Sequence, residues 1–316
     1  MTMAQKRRAP RVRGRDPRTA AGRIEWPTLG LLALAYGGII FGTTWLATAA
    51  LPLAILLTGV AISLHGSLCH EIIHGHPFRR LWLNEALVFP AVGLIVPYLR
   101  FRETHLAHHR DERLTDPYDD PESNFWDPQV WHGLPRWQQV LLAANNTLLG
   151  RMLLGPVVGT YCFVRSDLRK ARAGDRSVRA GWLWHVPALV PVILWLSVAD
   201  MPVWAYLLAV YLSHALQKIR TFLEHRAHER ARGRTVIVED RGPLAWLFLN
   251  NNLHVVHHAH PNRPWYELPA LYHAHRDRFL RRNDGYRYTS YAEVFARYLT
   301  RAKDPVPHPL WRNPAE

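Results

Sequence analysis

The sequence predicts an all-α integral membrane protein: four transmembrane helices with a helical cytoplasmic cap carrying a di-metal site. Three observations predict it. Residues 26–70 contain no Asp, Glu, Lys or Arg, and one crossing takes about 20 apolar residues, so this stretch holds two. A second pair of charge-free runs lies at 181–199 and 201–217, separated by Asp200 alone. The chain also carries 19 histidines, gathered largely into three clusters.

The elements follow in order. Residues 1–25 read as a basic, disordered cytoplasmic arm with Lys6, Arg7, Arg8, Arg11, Arg13, Arg15, Arg18 and Arg23. Residues 26–300 read as one membrane domain, with spans at about 28–47, 51–70, 181–199 and 201–217. The first two break near Pro52. A cleaved signal peptide is excluded, because the first apolar run is too long and leads straight into a second. Shorter apolar runs at 86–99, 138–150 and 152–164 suit half-buried or interfacial segments. Residues 269–282 read as an amphipathic helix with Leu271, His275 and Phe279 on one side. The proline-rich tail, 301–316, reads as loose.

Orientation follows from charge. The tips near residues 48–50 and 200 carry no Lys or Arg, whereas the arm and the segment after 217 carry many. The positive-inside rule then places both termini and residues 71–180 in the cytoplasm. Trp26, Trp45, Trp182 and Trp184 read as interfacial anchors at span ends. The net charge of +14 is assigned to a juxtamembrane arm drawn to anionic membrane lipids, not to nucleic-acid binding. Two cysteines, Cys69 and Cys162, exclude a disulfide scaffold and a cysteine zinc site.

The chemistry lies in the histidine clusters: His70-Glu71-Ile72-Ile73-His74, His105-Leu106-Ala107-His108-His109 and His254-Val255-Val256-His257-His258. Residues three and four apart share a helix face, so each cluster can aim its imidazoles at one spot. Chain parity puts all three on one membrane face. Eight imidazoles exceed one ion and match two, and nitrogen donors without thiolates fit Fe, Zn, Cu or Ni.

These clusters, with RETHLAHHR followed by DPYDDPES, RTFLEHR and NNLHVVHHAHPNRPWYELP, resemble the membrane fatty acid desaturase and hydroxylase superfamily. The wording is similar to bacterial fatty acid desaturase-like proteins in particular, and the likeness extends over most of 51–269. It implies a di-iron centre with O2 as co-substrate and His70, His74, His105, His108, His109, His254, His257 and His258 as ligands. It adds His225, in RTFLEHR, as a ninth, with His228 as the competitor. Glu71, Glu224 and Asp116 are candidates to orient ligating imidazoles through the second ring nitrogen, or to ligate.

The resemblance further implies removal of hydrogen from an unactivated C–H bond, ending in a cis double bond or an alcohol. A fatty acyl or lipid substrate is expected, with an external electron donor of ferredoxin or cytochrome type, in a bacterial inner membrane. Desaturation is the first reading, since the second box has two residues before its His pair. Hydroxylation of an alkane, lipid or carotenoid is the alternative. An HExxH zinc protease would leave both HxxHH boxes idle. A metal transporter would carry its ionisable groups near the bilayer midplane, not at span ends.

Overall fold

The computed structural model describes residues 24–109 and 113–312, so the basic residues from Lys6 to Arg23 lie outside the described part. The chain is mostly helical. The first apolar stretch forms α1 (Trp26–Thr43) and α2 (Trp45–Ala49), and α3 (Leu51–Ile73) follows at once. The first expected span is therefore not one rod. Its helix breaks at Thr44, with φ −109° and ψ −102°.

Between the two apolar pairs lie α4 (Leu81–Leu87), α5 (Tyr98–His108), α6 (Pro128–His132), α7 (Arg136–Asn145), α8 (Leu148–Leu153) and α9 (Gly155–Arg172). The run 86–99 is largely half-buried. After α4 it loops irregularly, with Leu94 at φ 60°. The next helices are α10 (Arg176–Leu196) and α11 (Val203–Thr221). Because α10 starts at Arg176, Trp182 and Trp184 fall in its second and third turns and do not mark its start.

Among the described residues, three helical stretches are long and apolar enough to cross a membrane: Trp26–Ala49, Leu51–Ile73 and Arg176–Leu196. Helix α11 lies against α3, and its last turn carries Lys218 and Arg220. Their core holds Ala54, Ala61, Tyr206 and Ala209, all buried. Close approach needs Gly59, where a Cβ would sit 2.8 Å from Leu212 Cδ2, the small-residue contact common between membrane helices. The outer faces stay apolar and exposed, as at Leu183, Val186 and Leu194.

The last third contains α12 (Pro243–Leu247), α13 (His254–Ala259), α14 (Leu268–Ala274), α15 (Arg276–Arg282) and α16 (Tyr291–Tyr298). The single helix expected over 269–282 is broken at His275, φ −133°. The all-α expectation is also corrected, since β1 (Ile237–Val238) pairs in parallel with β2 (Arg287–Tyr288). This pair braces α13: Val255 N donates to Val236 O at 3.1 Å, and Val238 N to Asn252 O at 2.8 Å. Residues 301–312 do not hang free. Trp126 N donates to Val306 O at 2.9 Å, and His308 N to Trp126 O at 2.8 Å.

Candidate metal centre

Each histidine box sits where a helix ends. His70 lies in the last turn of α3 with His74 as its C-cap. His105 and His108 lie in the last turn of α5 with His109 as its C-cap. His254, His257 and His258 make up half of the six-residue α13. Helix α5 is fixed by a buried bidentate pair: Arg100 Nε and Nη2 donate to Asp167 at 2.8 and 3.0 Å. Trp182 Nε1 donates to the same carboxylate at 2.9 Å, tying α5 to both α9 and α10.

Nine histidines converge in two adjacent groups. One contains His70, His74, His105, His109 and His257; the other contains His108, His225, His254 and His258. Within each group the donor atoms lie within 4.8 Å of one another. The two HxxHH boxes interleave. His105 and His109, four apart, join the first group while His108 joins the second; His254 and His258 join the second while His257 joins the first.

The ring nitrogens meet Nε2 to Nε2: His74 with His105 at 3.1 Å, His105 with His109 at 2.9 Å, His109 with His257 at 3.1 Å. In the second group His108 meets His225 at 2.9 Å and His225 meets His254 at 3.2 Å. His70 Nε2 is buried with no hydrogen-bond partner among the described residues. Imidazole nitrogens gathered at two points, with no thiolate among them, are a donor set suited to transition-metal ions. Iron therefore fits these residues.

The opposite ring nitrogens are anchored. His108 Nδ1 donates to Asp120 Oδ1 at 2.8 Å, His105 Nδ1 to Glu122 Oε1 at 3.1 Å and His254 Nδ1 to Asn251 Oδ1 at 3.0 Å. Such bonds set the tautomer and leave Nε2 as the donor. Asp120 is itself fixed by Thr115 N at 2.9 Å.

Burial, with the crowding of neighbouring imidazoles, drops His74, His109, His225, His254 and His257 well below the ordinary histidine range. Burial also opposes a charge on His108, but Glu122 and Asp120 outweigh it and hold that ring up at about 9. Glu122 is buried too, yet His108 and His105 keep its carboxyl well below the usual range.

The remaining candidates separate clearly. His228 stands apart, its Nδ1 near Arg230 O at 3.2 Å and its Nε2 3.8 Å from Asp284. It does not share a helical face with His225, because α11 has ended at Thr221. Asp116 touches no ring; its Oδ1 accepts from Tyr118 N and Asp119 N, both at 2.8 Å. Glu224 lies 3.8 Å from His254 Nδ1 and pairs with Arg220 at 3.0 Å. Glu71 is in neither histidine group. It accepts from Trp265 N at 2.9 Å and gathers with Glu25 and His76, all three buried.

Asp120, Glu122 and Asn251 were missed as orienting groups in the sequence. Both carboxylates lie in the acidic DPYDDPES segment, whose position just after the second box was the available signal. The closing tail was missed as well: Lys303 Nζ donates to His225 O at 2.7 Å.

A largely apolar cavity of about 780 Å3 lies between α3, α5, α10 and α11. Gly66, Cys69, Phe101 and Arg220 are among the residues that line it, and the Phe101 ring lies 5.7 Å from that of His105. A polar cavity of about 680 Å3 approaches the other side, lined by His108, His225, Glu122 and Lys218.

Two known proteins are similar to this chain. The β-carotene ketolase of Paracoccus sp. (strain PC1) is 25% identical over 249 residues, covering 77% of this chain and 79% of the relative. The β-carotene ketolase of Paracoccus sp. (strain N81106 / MBIC 01143) is 24% identical over 226 residues, 70% of this chain and 76% of the relative. A family model described as fatty acid desaturase matches residues 43–290, a span that includes all three boxes, His225 and the helices that carry them. The histidine-clustered, mostly helical chain belongs to the fatty acid desaturase family of membrane oxidoreductases.

Proposed function

We propose that the protein is a membrane-bound, O2-dependent di-iron oxygenase that inserts oxygen into a C–H bond of a long apolar lipid of carotenoid type. The observation that carries this reading is a largely apolar cavity whose lining residue Phe101 places its ring 5.7 Å from that of His105, in the five-histidine group. An apolar substrate entering from the bilayer needs such a lining. The β-carotene ketolases named above support oxygen insertion over desaturation. Acyl desaturation is the second reading, favoured by the two-residue spacing before the His pair of the second box.

In this reading the nine histidines are the metal ligands, and α11 is a fourth crossing that places them in a cytoplasmic cap at the inner membrane. Iron held there supplies the dioxygen chemistry, which consumes one O2, two electrons and two protons for each alcohol and water formed. A second round, with another O2, two electrons and two protons, hydroxylates the same carbon again and forms water, and loss of water from the geminal diol gives the ketone. The chain's own residues do the positioning. Asp120, Glu122 and Asn251 hold His108, His105 and His254 by their Nδ1 protons. Phe101, Cys69 and Gly66 align the target carbon and keep water out. Electrons come from a separate ferredoxin- or cytochrome-type donor docking on the basic cytoplasmic face.

The test is expression in a carotenoid-producing host with a reconstituted donor, followed by mass spectrometry of all lipids. Gain of an oxygen, or gain of an oxygen with loss of two hydrogens, on a polyene is the expected product. Loss of two hydrogens alone from an acyl chain makes the protein a desaturase. Unchanged lipids despite two bound irons and a reducing donor would overturn both readings.

A further inference from the structure

A second binding site lies away from the histidine centre, in a groove of about 720 Å3 between α9 and α11. Its wall is apolar, with Val157 and Tyr161 from α9 and Leu207 from α11. One end is different: Arg165, Arg169 and Arg172 line it. Their spacing of four and three puts them on one face of α9, in continuation of the stripe through Val157 and Tyr161. All three are exposed. Among the described residues no carboxylate pairs with any of their guanidinium groups. The neighbouring acid, Asp167, is buried and taken by Arg100.

An apolar channel that ends in three unpaired arginines has the form of one particular ligand. Its tail must be hydrocarbon and its head anionic, and guanidinium groups favour phosphate oxygens as forked donors. Basic side chains at a membrane surface are drawn to anionic lipid. We propose that this groove seats an anionic phospholipid, with an acyl chain along Val157 and Tyr161 and the phosphate on Arg165, Arg169 and Arg172. The site goes beyond the oxygenase reading: it requires the bilayer, not the iron, and the lipid is a bound ligand, not the substrate.

The experiment uses the full chain in phosphatidylcholine nanodiscs doped with phosphatidylglycerol. Lipid retained after mild detergent extraction is counted by mass spectrometry. The expected result is phosphatidylglycerol enriched roughly tenfold or more over its bulk ratio. The triple variant Arg165→Gln, Arg169→Gln, Arg172→Gln should fall to the bulk ratio. The control triple Arg136→Gln, Arg278→Gln, Arg281→Gln should keep the enrichment. Val157→Trp, which obstructs the groove and leaves the charges, should lower it.

No enrichment in the unaltered protein would overturn the proposal, as would equal loss in the control triple or full retention in Val157→Trp. Displacement by inorganic phosphate as readily as by lipid would overturn it too, by reducing the site to a headgroup pocket. Oxidised phosphatidylglycerol chains would overturn it by making the lipid a substrate. Should the triple variant fail to fold, a salt titration of the unaltered protein replaces it. Enrichment must then fall as the arginines are screened, and salt-independent enrichment counts against the site.

Discussion

His109 and His258 belong to different histidine groups, yet their rings stack with centroids 4.4 Å apart and planes inclined by 21°. The stack joins the end of α5 to α13 and keeps the two groups side by side.

His108→Ala and His257→Ala each remove a donor from a different group. Both should insert in the membrane and lower product formation by about 100-fold or more, beyond the 10–100-fold typical of lost orienting partners. Metal analysis beside lipid mass spectrometry checks this. His228→Ala, which touches only Arg230 and Asp284, should keep full metal and full activity. Metal loss in His228→Ala would move the ninth ligand away from His225.

Asp120→Asn should cost roughly 10–100-fold in metal affinity or activity, because His108 loses the acceptor that fixes its tautomer. Asp116→Asn, four residues earlier, alters only an exposed turn and should leave metal content unchanged. Metal titration of the two variants separates them. Equal effects would remove Asp120 from its orienting role.

The metal-free protein should be acid-labile. The pKa values of His74, His109, His225, His254 and His257 are lowered by burial in the fold. Their contribution is complete above the unfolded value of about 6.5 and is lost as pH falls toward the folded values. His108 runs the other way, its contribution complete below about 6.5 and lost as pH rises through about 9. Five rings outweigh one on the acid side, so the unfolding temperature should drop between about pH 7 and pH 5. Bound metal should suppress that drop until protons displace it. A flat acid limb in the stripped protein would contradict the buried neutral state.

Asp167→Ala should destabilise the fold by up to about 3 kcal/mol, since it removes two of the bonds of the buried Arg100 guanidinium and leaves it only the half-exposed Glu103. Gly181→Ala attacks the same joint sterically, its Cβ falling 2.7 Å from Arg100 Cδ. Both should loosen α5 and weaken metal binding alongside stability. Denaturation in detergent measures the first effect and metal titration the second. A fully stable Asp167→Ala would show that the pair does not hold α5.

The boxes were legible because three- and four-residue spacings are a local property of helices. What spacing did not give is the division between groups. His108 lies between His105 and His109 in sequence but turns to the opposite group, and only the packing of α5 against α13 decides that. Asp116 was chosen for its acidity, yet it is engaged by turn amides, while Asp120 reaches His108 across a loop of twelve residues. His225 was found through resemblance alone, since the chain after Thr221 is not helical and carries no periodic signal. The three apolar helices Trp26–Ala49, Leu51–Ile73 and Arg176–Leu196 were legible from missing charge, but the break at Thr44 inside the first was not.

Glu25 stands at the start of α1, and its carboxylate accepts from His76 Nδ1 at 2.9 Å, two residues past the first box. The first apolar helix is thereby leashed to the turn just beyond the first box. Any displacement of the start of α1 therefore pulls on His76, two residues from His74.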